Sequence, residues 1–179
     1  MSENFYHLTN LPPLSSDLIE EGLNADYYWN LNPNTFKSDA PSFKSTFFFK
    51  LLEKQFGICN ASYIKNFPFM LYDWHMDQQR ASSINWVIKT NPKASTFYRD
   101  YYEGDPFSKK MAEHGRRPLF WKLQEVNYTL FKPTILNTSV PHSVINNSSE
   151  ERIILSVSVH SASYDNLKDF LSHLMIDSY

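Results

Sequence analysis

Four residues have the types and the order to act together: His75 and Asp77 in Tyr72-Asp73-Trp74-His75-Met76-Asp77, then His142, then Arg152 ten residues further on. Two imidazoles and one carboxylate can occupy one face of an octahedral metal and leave the other face open to a cosubstrate and oxygen, a donor set that suits non-haem Fe(II). A guanidinium fork in an apolar setting grips a carboxylate bidentately, so Arg152 adds a place for an anionic ligand.

Strands are the elements able to hold these groups. On an extended strand alternate side chains share a face, so His75 and Asp77 can reach one ion while Met76 points away. His142 must come from a second strand, and it follows Pro141, which suits a strand end or an edge. Arg152 heads the β-rich run 152–160, and a hairpin around Asn146-Asn147-Ser148-Ser149 is expected to return it to the same cavity. Singly, each residue has an ordinary explanation. His75 reads as a half-buried strand histidine, Asp77 as a turn former before Gln78-Gln79, His142 as a surface turn residue, and Arg152 as part of a solvated cluster with Glu150 and Glu151. Their joint order in a β-rich context outweighs those explanations. His7, His114, His160 and His173 have no partner at ligand spacing.

This order resembles the 2-oxoglutarate and Fe(II)-dependent oxygenase superfamily, which is built on a double-stranded β-helix, or jelly roll. Trp74-His75-Met76-Asp77 followed by Ser82-Ser83-Ile84-Asn85-Trp86-Val87-Ile88, and the stretch from Leu136 through Pro141-His142-Ser143-Val144, are similar to the two metal-bearing stretches of small bacterial and phage members. The resemblance covers roughly residues 58 to 160. It implies that His75, Asp77 and His142 ligate Fe(II) and that Arg152 holds the C5 carboxylate of 2-oxoglutarate. It implies further that 2-oxoglutarate and O2 give succinate and CO2 while an unidentified prime substrate is oxidised, usually by hydroxylation. One position departs from the pattern: some branches carry a serine two residues after the arginine, where this chain has Ile154. Ser156 is the next inward candidate. Asn85 is a further candidate for contact with cosubstrate or substrate, its ordinary alternative being a buried strand asparagine satisfied by backbone.

Two other functions fit the same fold class. A metal cupin enzyme that does not use 2-oxoglutarate commonly carries His-x-His and a following Glu in its first motif, and Asp77 speaks against it. A non-catalytic jelly-roll binding module leaves the joint placement of His75, Asp77, His142 and Arg152 unexplained.

The remaining sequence supplies a scaffold that is mainly β with flanking helices. Extended runs at 61–66, 69–75, 82–89, 95–98, 125–131, 133–137, 142–146 and 152–160, punctuated by Asn, Pro and Ser, predict a jelly roll or sandwich of cupin-like type rather than alternating β and α units. Ahead of them the sequence predicts a short strand at 4–9, a helix from Ser15-Ser16-Asp17 that Gly22 ends, and a connecting loop over 30–42. A second helix over 45–56 follows, with Phe48, Leu51, Leu52 and Phe56 on one stripe and Gly57 at its stop. The chain closes with a helix bearing Leu167, Phe170, Leu171 and Leu174, capped by Asp165. Residues 99 to 117 read as a mixed-charge loop, either solvated or folded over the site as a substrate-selecting lid. Arg116 and Arg117 would favour an anionic substrate if they face that site.

At 179 residues the chain suits one domain over 1–179, with its β core at about 58–160. Its 14 Phe, 11 Tyr and 4 Trp supply bulky apolar surface. A net charge of −2 provides no basic footprint of the kind nucleic acid needs. The one cysteine, Cys59, excludes an intramolecular disulfide. No leader-like segment and no apolar run of membrane-spanning length is present, so a cytoplasmic location is expected.

Overall fold

Strand β11 (Arg152–Val159) divides the protein into an apolar and a polar half. Leu155, Val157 and Val159 point into a large apolar core, whereas Arg152, Ile154, Ser156 and Ser158 line a cavity on the opposite face. The alternation follows from the two-residue period of a strand, and the serines mark the polar side.

The computed structural model describes residues 6–29, 35–77, 80–89, 93–99, 123–127 and 132–176. Its further strands are β1 (Tyr6–Leu8), β2 (Tyr28–Trp29), β3 (Thr35–Asp39), β4 (Cys59–Asn66), β5 (Met70–His75), β6 (Ser82–Lys89), β7 (Ala94–Arg99), β8 (Leu123–Asn127), β9 (Thr134–Asn137) and β10 (His142–Asn146). The helices are α1 (Ser16–Asn24), α2 (Pro41–Lys44), α3 (Phe47–Phe56) and α4 (Tyr164–Ile176). A seven-stranded sheet runs β1-β9-β6-β11-β4-β3-β2 and a four-stranded sheet runs β5-β10-β7-β8. The described strand pairs are antiparallel. This is a jelly roll, mainly β, whose two sheets line a common cavity.

The main apolar core lies outside the roll, between the large sheet and the helices. Tyr63 of β4, Ile84 and Trp86 of β6 and Ile135 of β9 meet Phe43, Phe49, Leu52, Leu167 and Leu171 from α2, α3 and α4. Because these helices supply the dry packing, the space between the sheets need not be filled. α3 starts where the Thr46 hydroxyl accepts from the Phe49 N–H at 3.2 Å, and it ends at Gly57, whose φ of 77° suits a residue without Cβ.

Four expectations need correction. The expected loop 30–42 contains β3, whose Thr35 and Lys37 line the cavity; pairing with β4 makes a strand of a segment with weak propensity of its own. Gly22 does not end α1, which continues to Asn24. It lies in the helix because a Cβ there would sit 2.5 Å from Ile88 Cδ1 and 2.9 Å from the Tyr63 ring. The cap of α4 is Ser163, whose hydroxyl accepts from the Asn166 N–H at 3.2 Å, and Asp165 stands in the first turn instead. Finally, β10 and β11 do not form a hairpin. Residues 147–151 cross from one sheet to the other, pinned by Asn146 Nδ2 donating to the Phe67 and Glu150 carbonyls at 2.9 and 2.8 Å. Apart from Arg99 at the end of β7, the expected lid over 99–117 lies outside the described residues. Among the described residues, no helix is long and apolar enough to cross a membrane.

Candidate metal centre

β5 and β10 pair so that His75 and His142 stand opposite one another at the end of their ladder. Strand β5 stops at His75, so Asp77 is positioned by the following turn rather than by the strand itself. Its N–H donates to the Thr138 carbonyl at 3.0 Å, and the Thr138 hydroxyl donates to the Arg80 carbonyl at 2.9 Å, which fastens the turn to the end of β9. The structure thereby brings His75, Asp77 and His142 together, with one nitrogen or oxygen of each lying within 4.8 Å of the others.

The donor set fits a divalent metal. His75 Nε2 lies 3.9 Å from Asp77 Oδ1, and His142 Nε2 lies 3.9 Å from Asp77 Oδ2. Neighbouring octahedral ligands with bonds of about 2.1 Å stand roughly 3 Å apart, so a modest contraction would bring these donors onto one ion. His142 Nδ1 lies 2.9 Å from the Val140 carbonyl. A carbonyl only accepts, so the proton resides on Nδ1 and the Nε2 lone pair faces the site, the orientation found at metal-binding histidines. The His75 ring lies against Tyr72, their centres 3.8 Å apart and their planes tilted by 37°, and Ser143 Oγ donates to the Tyr72 carbonyl at 2.8 Å.

Burial and neighbouring charge set the protonation states. Burial, reinforced by His75, pushes His142 down to about 4, against the opposing influence of Asp77 and the Val140 carbonyl. Burial alone would raise the Asp77 carboxyl, but Arg80, His142 and His75 outweigh it and hold the group below its ordinary value. Arg80 is the strongest of these partners: its Nε reaches Asp77 Oδ2 at 2.6 Å while its Nη1 donates to Ser158 Oγ at 2.7 Å. One carboxylate oxygen is thus tied to a guanidinium and the other, Oδ1, faces His75.

These groups border a cavity of about 650 Å³. Arg152 lies in its other wall, 3 % exposed, with Nη1 donating to Asn66 Oδ1 at 3.1 Å. Ser156 and Asn85 are opposite each other across the β11–β6 ladder, and both are buried and line the cavity. His160 also borders it, outside the ligand group. Lys37, Arg80, Thr35 and Asn66 line the cavity too, and the sequence reading assigned them no role. Arg80, three residues after Asp77, carried a usable signal in its charge. Lys37 and Thr35 were hidden by the loop reading of β3.

No family model matches the sequence, and no curated protein matches it. Solved structures do. HygX from Streptomyces hygroscopicus, determined with nickel and 2-oxoglutarate bound, superposes with a TM-score of 0.57 at 13% identity over 91% of this chain and 86% of that one. The α-ketoglutarate-dependent epimerase SnoN of nogalamycin biosynthesis gives 0.53 at 12% identity, over 87% and 77%. A 2OG-Fe(II) oxygenase family oxidoreductase from Burkholderia pseudomallei gives 0.54 at 8% identity, over 89% and 86%. The shared property is the fold. At such identities the likeness carries no residue roles, and those must be argued from the cavity itself.

Proposed function

We propose that this chain is a 2-oxoglutarate- and Fe(II)-dependent oxygenase acting as one domain, with His75, Asp77 and His142 as metal ligands and Arg152 as the anchor of the cosubstrate. The observation that carries the reading is the placement of a two-histidine, one-carboxylate cluster and a buried arginine on opposite walls of one cavity. HygX, with the same fold, holds nickel and 2-oxoglutarate, which supports the cofactor pair.

The residues of the chain divide the work. His75, Asp77 and His142 would hold the iron through two nitrogens and Oδ1, while Arg80 keeps Oδ2 occupied and so favours single-oxygen ligation. Arg152, already oriented by Asn66, would receive the distal carboxylate of 2-oxoglutarate as a charge-assisted pair in a dry pocket. Ile154 cannot offer that carboxylate a second hydrogen bond, but Thr35 can. It stands on the same ladder level, paired with Asn66, which is paired with Arg152. Its buried hydroxyl has no hydrogen-bond partner among the described residues. Ser156 and Asn85, further along the same wall, would contact the body of the cosubstrate. Bound iron supplies the oxygen chemistry, coupling decarboxylation of 2-oxoglutarate to succinate with oxidation of a second substrate, and the protein contributes orientation and exclusion of water.

The test is to load the purified protein anaerobically with Fe(II) and 2-oxoglutarate, admit oxygen, and measure succinate. Succinate above a metal-free control, absent from His142→Ala and Asp77→Ala, is expected. Metal binding without any 2-oxoglutarate complex would favour a metal cupin of other chemistry, and binding of neither would favour a binding module.

A further inference from the structure

Among the described residues, three cationic side chains line the cavity, Lys37, Arg80 and Arg152, against one carboxylate, Asp77. Two of the cations are committed. Arg80 is held by Asp77 and Ser158, and Arg152 is held by Asn66 at the end assigned above to the cosubstrate. A divalent ion and a dianionic cosubstrate cancel one another, so the imbalance persists after both have bound.

Lys37 is the cation left over. It projects from β3 on the cavity face, at the ladder level of Ile64 and Ile154, between the level of Arg152 and that of Ser158. No ion pair or hydrogen bond engages its ammonium among the described residues. The environment is unfavourable to a lone charge: burial and the neighbouring Arg80 both act against the protonated form, and only Asp77 supports it. A partly desolvated ammonium without a partner is costly, and on a surface strand it would turn out to water. On a cavity wall it is a ready counter-ion for an incoming anion. On the reading above 2-oxoglutarate would not require it, because its distal carboxylate would go to Arg152.

We infer that Lys37 is the binding site for an anionic group of the prime substrate, a carboxylate or a phosphate, held in the cavity beside the metal ligands. This rests on the oxygenase reading and narrows it to acidic substrates. The net positive charge that the described residues place on the cavity wall favours such molecules over cationic ones.

The test separates the two claims. Nickel and 2-oxoglutarate are first titrated calorimetrically into the wild-type protein; failure of 2-oxoglutarate to bind sinks the oxygenase reading and this inference with it. Propionate, inorganic phosphate and the neutral propionamide are then titrated into the loaded protein. At least one anion is expected to bind where propionamide does not, with the better anion identifying the headgroup. In Lys37→Met that anion should bind roughly tenfold or more weakly, the scale for removing one side of a desolvated charge pair. Lys37→Arg should restore most of the affinity, and 2-oxoglutarate and nickel affinities should change less than about twofold throughout. Equal anion binding by wild type and Lys37→Met overturns the inference. So does a parallel loss of 2-oxoglutarate, which would place Lys37 in the cosubstrate pocket. The comparison of propionate and phosphate with propionamide needs no variant, so equal or absent binding of all three in the wild type also overturns it if Lys37→Met fails to fold.

Discussion

Acid should destabilise the metal-free protein through His142, and the size of the effect follows from its surroundings. The imidazole is 5 % exposed and stands beside His75, and burial together with that neighbour outweighs Asp77 and the Val140 carbonyl, which favour the charged ring. Folding therefore lowers its pKa from the ordinary value of 6.5 to about 4. Between those values the unfolded chain binds a proton that the folded protein refuses, so stability falls as pH falls. Relative to neutral pH the loss is about 2 kcal/mol at pH 5 and about 3 kcal/mol at pH 4, where the folded protein begins to accept the proton. A chain of this length should lose roughly 6–12 °C in Tm for 3 kcal/mol. Urea midpoints of the EDTA-treated protein at pH 7.5, 6, 5 and 4 are compared with those of His142→Asn, which keeps a hydrogen-bond donor for Val140 and cannot titrate. The wild-type loss between pH 7.5 and 5 should exceed that of the variant by about 2 kcal/mol. Asp77, whose carboxyl is held low, is stabilising above the usual carboxylate range and lost only as pH falls through its folded value, so it contributes below this window. Parallel curves for the two proteins would refute the argument, because they would mean that His142 accepts a proton in the folded protein at its ordinary pH.

Arg152→Ala should weaken 2-oxoglutarate binding by roughly 2–5 kcal/mol while nickel binding stays within severalfold, with Arg152→Lys recovering only part; unchanged calorimetric affinity would remove Arg152 from the cosubstrate site. Nickel at a hundredfold excess over its Kd should stabilise the wild type by about 2.7 kcal/mol in thermal melts and leave Asp77→Ala unaffected, and an equal shift in that variant would move the metal elsewhere. Gly22→Ala should destabilise by roughly 1–3 kcal/mol despite the better helix propensity of alanine, since its Cβ would meet Ile88 and Tyr63; a rise in the urea midpoint would show that the contact relaxes freely.

Much of the fold was legible locally. β6 and β10 stand where the extended runs 82–89 and 142–146 put them, and α3 ends at Gly57, because β-forming composition, helix period and a left-handed stop are properties of a few adjacent residues. The order of His75, Asp77, His142 and Arg152 was legible for a similar reason: few unrelated constraints produce that combination of residue types at that spacing. By contrast, β3 was invisible. Thr35 to Asp39 becomes a strand through its partner β4, and with it Lys37 enters the cavity. The crossing from β10 to β11 was misread as a hairpin because residues 146–149 carry turn chemistry without specifying which sheet receives the next strand.

The sequence by itself therefore determined the chemistry available, two imidazoles, a carboxylate and a guanidinium on β-forming segments, since residue type and short-range period are local facts. Only the tertiary structure decided how that chemistry is deployed. Antiparallel pairing placed His142 against His75, a carbonyl of Thr138 held Asp77 between them, and Arg80 took one oxygen of that carboxylate. The change of sheet between β10 and β11 set Arg152 on the facing wall. Helices packed on the outer face of the large sheet left the interior open and polar. Each of these depends on partners distant in sequence, and no local pattern records which of them will meet.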